Sequence, residues 1–201
     1  MNRERNSLAP FSDYFRYRML LATDFFWVDA DVLALRAFGT DGDYLVARHP
    51  PVVAIGVLGL PVSSPSLAAL TAAAEAPAIH LPWLARDREA LAAFADPSGR
   101  LSPADLPYKA LGPRALTWLM RRHDEMKHVL PPWTHYPLQP RQIMRPFDKC
   151  KALIYWDRAS SIHLFGSVQS RWFSENETKT PPANSFLMEM FRRHDVDPVL
   201  G

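Results

Sequence analysis

Proline is the residue type that most constrains this chain, because it restricts the backbone wherever it occurs. The 201 residues include 19 prolines, which is about twice the usual share. Five of them fall within one short segment, namely Pro131, Pro132, Pro137, Pro140 and Pro146. Each fixes its own φ and lacks an N–H donor, so this segment can form neither a helix interior nor a central strand. We therefore predict an extended, Pro-rich arm over residues 131–146.

The overall composition is that of a globular protein with a real core. Hydrophobic residues make up 48% and charged residues 22% of the chain, as in typical soluble domains. The formal net charge of +2 is too small to argue for nucleic-acid binding on totals alone. The apolar run at 52–62 is much shorter than the ~20 residues of a membrane helix, so we expect no membrane span. The richness in Ala, Leu, Arg and Pro suggests a bacterial source.

Cys150 is the only cysteine, which excludes an intramolecular disulfide and a thiolate-rich zinc site. A single thiol is compatible with a reducing compartment, and we expect a cytoplasmic protein. Cationic neighbours at Lys149 and Lys151 would favour a reactive thiolate, whereas a small buried residue is the simpler interpretation of Cys150.

Helix-start signals and apolar spacing predict five helices. They run from Ser12 to about Ala22, from Ser64-Pro65 to Ala76, over 87–94, from Arg114 to about Leu130, and from Asn184 or Ser185 to about Arg193. In the fourth helix, Leu116, Leu119 and His123 share one face, which predicts a core position for that histidine.

Six short β-like runs are also predicted. Val32–Phe38 and Tyr44–Arg48 flank a Gly/Asp turn and predict a hairpin, with a helix ending at Gly39 as the alternative. Lys151–Trp156 and Ile162–Val168 predict a second hairpin. Two further runs, at 52–60 and 77–83, alternate with helices and hint at a parallel pair.

These elements together predict an α+β fold, with a mixed small sheet built from short hairpins, about five helices and the arm. We divide the chain into a polar tail (1–10), a main domain (11–130), the arm (131–146) and a C-terminal hairpin with a short helix (147–201).

The segment 123–128 is the densest cluster of titratable side chains. If the helix continues through it, Asp124 and His128 are four residues apart and can pair. His128 would then be a carboxylate-oriented general base, as in a small hydrolase. A solvated helix face explains the same residues without catalysis.

Aromatic and positively charged side chains lie close together in sequence along the arm and just after it. The candidate partner-binding residues are Trp133, His135, Tyr136, Arg141, Arg145, Lys149 and Lys151. Aromatic faces interleaved with cations can hold an acidic protein surface or stack nucleic-acid bases, and the same residues can pack the arm onto its own domain. A protein partner is preferred here over nucleic acid.

Two other features carry weaker indications. Gly56 and Gly59 precede a helix start and so suggest an anion site, but their spacing matches no phosphate-binding motif. The aromatic N-terminal segment can be core or interface, and burial in its own core is the default. We expect no cofactor and no metal site.

No pattern specifies a reaction. We therefore expect a non-catalytic bacterial protein that binds another macromolecule through its aromatic and Pro-rich surfaces. The alternatives are the hydrolase built on His128 and Asp124, and a nucleic-acid-binding protein that uses residues 133–151.

Overall fold

The computed structural model describes residues 9–40, 42–76, 81–87, 95–98, 101, 110–150 and 157–198. Within them lie five α-helices and two small sheets, so the predicted α+β class is confirmed. The helices are α1 (Ala9–Ala22), α2 (Pro65–Glu75), α3 (Pro113–Arg122), α4 (Gly166–Glu175) and α5 (Phe186–Arg193). The strands are β1 (Trp27–Val28), β2 (Val32–Ala34), β3 (Leu45–His49), β4 (Val52–Gly59) and β5 (Ser161–His163).

The chain divides into two compact units, neither of which is one continuous stretch. Unit 1 takes the described residues of 1–27 and 40–130, and unit 2 takes those of 28–39 and 131–201. Among the described residues, none of the helices has both the length and the apolar character needed to cross a bilayer.

Unit 1 is built around strand β4, which lies between β1 and β3. Most of β4 is buried, as expected for the β-branched run at 52–60. Helix α3 packs against β4, and α2 packs against α3 and α1. Its core includes Tyr17 and Leu20 of α1, Val46, Val53 and Leu58 of the sheet, and Leu67, Leu116, Leu119 and Met120 of the other helices.

Unit 2 has its own apolar core and a two-stranded sheet. Strand β2 pairs antiparallel with β5, so that Leu33 lies opposite Ile162. The buried core includes Leu138, Ile143, Ile162, Phe173, Phe186, Leu187 and Met190.

The first predicted hairpin is wrong in its pairing. Strand β3 pairs with β4, with Leu45 opposite Gly59 and His49 opposite Val52. Pro50 and Pro51, joined by a cis peptide bond, form the connecting turn, where their missing N–H donors cost no ladder bond. The alternative helix ending at Gly39 is also wrong, because residues 32–34 are strand β2.

Helix α3 is shorter than predicted. It ends at Arg122, and Asp124 adopts a left-handed φ of 57°, which a continuing helix cannot contain. The backbone reverses there, and the Glu125 N–H bonds to the Met120 carbonyl at 2.8 Å. His123 is therefore exposed, not a core residue of a longer helix.

Helix α4 replaces the end of the predicted strand Ile162–Val168. Gly166 opens the helix after Phe165, which has a left-handed φ of 56°, and the Gly166 N–H donates to Asp31 Oδ2 at 2.7 Å. The second predicted hairpin is only partly testable, since residues 151–156 lie outside the described range.

Local capping signals are confirmed at two helices. Ser64 accepts the Leu67 N–H and caps α2, and Ser185 accepts the Met188 N–H and caps α5. Helix α1 begins at Ala9, so Ser12 lies inside the helix, where its Oγ accepts a bond from Arg16.

Two other predicted elements lie partly outside the described residues. Of the predicted strand 77–83, residues 82 and 83 belong to a 3-10 turn, Pro82–Asp87, and residues 77–80 are not described. The predicted helix 87–94 lies outside the described residues beyond Asp87.

The Pro-rich segment 131–146 contains neither an α-helix nor a strand of two or more residues. Two 3-10 turns, Pro132–Thr134 and Pro140–Gln142, occupy it, each with proline at its first position. Pro131 itself is extended, with φ −61° and ψ 153°. The fixed φ of proline therefore suits both the turns and the extended residue.

Candidate binding surfaces

A cavity of about 320 Å³ lies in unit 2, beside the second 3-10 turn and helix α4. Its wall on the α4 side includes Val168, Arg171, Trp172 and Glu175. These positions are spaced by three and four residues, so they share one face of the helix. Phe173, one position on from Trp172, is buried in the core and fixes the direction in which that face points.

The opposite wall comes from the Pro-rich segment and the residues that follow it, including Arg141, Met144 and Arg145. The Gln139 and Gln142 side chains cap the turn reciprocally, and Ile143 is buried. The Arg145 carbonyl accepts the Phe186 N–H at 2.8 Å. This wall is therefore held by backbone hydrogen bonds and core packing.

The charge of this cavity is mainly positive. Arg141, Arg145 and Arg171 are exposed, and none of their side chains forms an ion pair with another described residue. Glu175 supplies one carboxylate against these three guanidinium groups. Guanidinium groups bind carboxylates and phosphates through paired N–H donors, and the half-buried Trp172 ring adds an apolar face. We refer to this site as the basic cavity.

Unit 1 carries a separate exposed aromatic surface. Phe11, Phe15, Phe25 and Phe26 each expose between 42% and 71% of their area. Phe11 and Phe15 lie one turn apart on α1, with ring centroids 6.3 Å apart, and Phe15 meets Trp27 edge-on. The default expectation of burial thus holds for Tyr17 and fails for these four phenylalanines.

A second cavity of about 320 Å³ adjoins this aromatic surface. Its lining includes Phe25, Phe26, Val62, Asp24 and Asp43. The two aspartates are exposed, and neither carboxylate forms an ion pair with another described residue. This side of unit 1 is therefore apolar with acidic groups beside it, in contrast to the basic cavity.

The two candidate catalytic residues do not pair with each other in the structure. The Asp124 carboxylate accepts a bond from Lys127 Nζ at 3.0 Å and is largely exposed. The His128 ring stacks on Tyr44 with centroids 4.1 Å apart. Because α3 ends before Asp124, the helical spacing that would have paired the two is lost, and neither cavity is lined by His128.

Glu125 forms a buried network that the sequence did not suggest. Its Oε1 accepts bonds from Tyr44 and Ser64 at 2.7 and 2.5 Å, and its Oε2 accepts the Ser66 N–H at 3.1 Å. Burial alone would raise the pKa of Glu125, but these bonds outweigh it and lower the pKa. A carboxylate at the first turn of α2 stabilises that helix. The network therefore indicates a structural role for Glu125.

The predicted partner-binding residues divide between surface and interior. Trp133 is 37% exposed, whereas His135 and Tyr136 are buried. His135 Nδ1 lies 2.9 Å from Ser161 Oγ, and burial lowers the pKa of His135 to about 4. Of these three rings, Trp133 alone reaches the surface.

The predicted cations are placed unequally with respect to the basic cavity. Arg141 and Arg145 line it, and Lys149 is exposed but does not. Lys151, the last residue of the segment 133–151 in the nucleic-acid alternative, lies outside the described residues. Cys150 is buried, its Sγ lies 3.3 Å from the Gln142 carbonyl, and burial raises the pKa of its thiol.

One group within the described residues combines a histidine with carboxylates at metal-binding distances. His163 Nε2 lies 3.4 Å from Asp31 Oδ1 and 3.7 Å from Asp29 Oδ2. His163 Nδ1 accepts the Phe165 N–H at 3.1 Å, which assigns the proton of the neutral ring to Nε2. The Nε2–H then points to the carboxylates, and that nitrogen has no lone pair to offer a metal ion.

Arg171 and Trp172 are the cavity residues that sequence reasoning missed. They lie in α4, whose beginning was assigned to a strand. The signal was present, because an amphipathic helix over 166–175 places Val168, Arg171, Trp172 and Glu175 on one face. Gly56, the weak anion-site candidate, is buried within strand β4 and does not lie at a helix start.

Comparison of the chain with protein-family models, with curated proteins and with solved structures found no match.

Proposed function

We propose that this protein is a non-catalytic binding protein that recognises an acidic and apolar segment of a partner protein in the basic cavity. The observation that carries the proposal is a set of three exposed arginines, Arg141, Arg145 and Arg171, around a cavity with Trp172 in its wall. None of the three forms an ion pair with another described residue. Unpaired guanidinium groups beside an apolar recess are suited to a carboxylate with a large apolar neighbour.

The apolar part of the lining favours a peptide over nucleic acid. Val168, Met144 and Trp172 give the cavity apolar walls, whereas non-specific nucleic-acid binding relies on several stacked rings along a positive groove. Among the described residues of the lining, Trp172 is the one aromatic side chain. A single apolar side chain with an adjacent carboxylate fits this arrangement better than a run of bases.

The proposal includes a cytoplasmic location. The one cysteine is a buried free thiol, so this chain makes no internal disulfide and has no need of an oxidising compartment.

Selection of random peptides displayed on phage, with the full-length protein immobilised, tests the proposal. We expect the selected sequences to place Asp or Glu within a few positions of Phe, Trp, Leu or Met. A synthetic copy of a selected peptide should bind the Arg145→Glu and Arg171→Glu variants at least roughly tenfold more weakly, as expected for a desolvated charge pair.

Arg121→Glu provides the matched control, because Arg121 is also an exposed arginine but lies on α3 in unit 1. That variant should bind the peptide as the wild type does. Equal binding by all three variants would contradict the proposal. So would selective binding of an oligothymidylate that competes with the peptide and weakens steeply with salt, because this result favours nucleic acid.

A further inference from the structure

The turn that follows helix α1 has the chemistry that the basic cavity requires. Asp24 and Phe25 are adjacent, both are exposed, and Phe25 has 71% of its area accessible. The Asp24 carboxylate forms no ion pair with another described residue. A carboxylate next to an exposed phenyl ring is an acidic and apolar segment within the chain itself.

Local hydrogen bonds stabilise this turn. The Thr23 hydroxyl donates to the Met19 carbonyl at 2.9 Å and accepts the Phe25 N–H at 3.2 Å. Phe26 packs closely on strand β4, where a Cβ added to Gly59 would lie 3.3 Å from the Phe26 Cβ. A segment that is already ordered loses little conformational entropy when it binds.

The receiving site complements the turn in charge and in size. A cavity of about 320 Å³ is at the lower end of the range for ligand pockets and is suited to one aromatic side chain. Trp172 offers a ring for Phe25, since aromatic pairs favour offset or edge-on contact. Arg145 and Arg171 offer guanidinium groups for the Asp24 carboxylate.

We propose that the Asp24–Phe26 turn of one copy of this chain binds in the basic cavity of a second copy. This inference rests on the proposed function and names the partner as the protein itself. The two surfaces differ, so the contact is heterologous, and repetition of it gives rings or open chains of subunits. Opposite charges across the contact make it sensitive to salt.

Sedimentation velocity of the full-length protein over a series of concentrations tests the proposal at low salt. We expect wild-type protein to form dimers and larger species as its concentration rises. Asp24→Arg and Arg171→Glu should each sediment as monomers, because like charges then face each other across the contact. Phe25→Ala should weaken the association constant at least roughly tenfold, as for a central aromatic contact.

The decisive measurement is the mixture of the two charge-reversal variants. The Asp24→Arg protein keeps an intact basic cavity, and the Arg171→Glu protein keeps an intact turn. At least one contact can therefore form, and the mixture should associate at a concentration at which each variant alone is a monomer. Glu177→Arg and Arg121→Glu, at exposed positions that line neither cavity, should associate as the wild type does.

Circular dichroism of each variant separates loss of association from loss of folding. If Asp24→Arg does not fold, Phe25→Ala mixed with Arg171→Glu provides the comparison, at a concentration at which Phe25→Ala alone is a monomer. A wild-type protein that remains monomeric at its highest soluble concentration, or two variants that fail to dimerise on mixing, would overturn self-association. Peptides selected on the basic cavity would still bind in that case, and the proposed function would stand. If neither self-association nor peptide binding is observed, both proposals are wrong.

Discussion

Glu125 Oε1 lies 2.5 Å from Ser64 Oγ, although 61 positions separate the two residues along the chain. The same serine hydroxyl caps helix α2 by accepting the Leu67 N–H. One carboxylate therefore connects the turn after α3 to the start of α2 and to Tyr44. Because Glu125 is 4% exposed, water cannot replace its carboxylate, and each of these donors depends on it as the acceptor.

Replacement of Glu125 by alanine should destabilise unit 1 strongly. The Ser64 and Tyr44 hydroxyls and the Ser66 N–H would lose their acceptor while remaining buried, and we expect a loss of about 3 kcal/mol in the free energy of unfolding. Urea denaturation followed by circular dichroism measures it. Glu177→Ala, at an exposed position, is the control, and equal stability of the two variants would contradict the structural role.

Acid should weaken the fold through His135 between about pH 6.5 and pH 4. Burial lowers the pKa of His135 to about 4, so in this window the unfolded chain binds a proton that the folded protein does not. Stability therefore falls as the pH falls through the window, by about 3 kcal/mol for the whole shift. Urea midpoints at pH 7 and pH 4.5 measure it, and His135→Asn should reduce the difference between them.

Glu125 makes the stability of the fold depend on pH in a more acidic range than His135 does. Its pKa is lowered in the folded protein, so its contribution is present above the ordinary pKa of a glutamate and is lost as the pH falls through the lowered value. We expect Glu125→Gln to flatten the stability curve below about pH 4, where an ordinary glutamate becomes protonated. A curve identical to that of the wild type in this region would show that Glu125 is protonated alike in both states.

Leu119→Asp should unfold unit 1. Leu119 is buried in the core among the residues of α3, and an unpaired charge there costs several kcal/mol. Arg122→Asp, three residues later at an exposed position, should have a small effect. A cooperative melt of Leu119→Asp near the wild-type temperature would mean that this face of α3 is not core.

Gly59→Ala should destabilise the sheet of unit 1 and displace Phe26. An added Cβ would lie 3.0 Å from the Leu45 Cβ and 3.3 Å from the Phe26 Cβ, and such overpacking costs about 1–3 kcal/mol. Gly39→Ala meets no atom within 4 Å and is the matched control. Thermal denaturation distinguishes the two, and equal melting temperatures would argue against close packing at Gly59.

Features set by neighbouring residues were predictable from the sequence. Ser64 and Ser185 precede helices as capping residues, and the β-branched run at 52–60 forms the central strand. The end of α3 was not predictable, because the apolar spacing continues to Leu130. A left-handed residue at Asp124 and the bonds of Glu125 to distant partners override that pattern.

Pairing between distant strands could not be predicted either. Val32–Phe38 and Tyr44–Arg48 are close in sequence, yet β2 pairs with β5 and β3 pairs with β4. In the basic cavity, the local charge of Arg141 and Arg145 was visible in the sequence. Arg171 and Trp172 were missed because the β-branched and aromatic residues that precede α4 favour a strand locally.

The pairing of β2 with β5 has a consequence for biosynthesis. Residues 32–34 leave the ribosome well before residues 161–163, which form their partner strand. Until then, β2 has exposed backbone donors and acceptors, which are open to mispairing with nascent or neighbouring polypeptides. For the same reason, a fragment that begins at Pro131 would lack an edge of its own sheet, so expression of that region alone requires residues 28–39 to be grafted back.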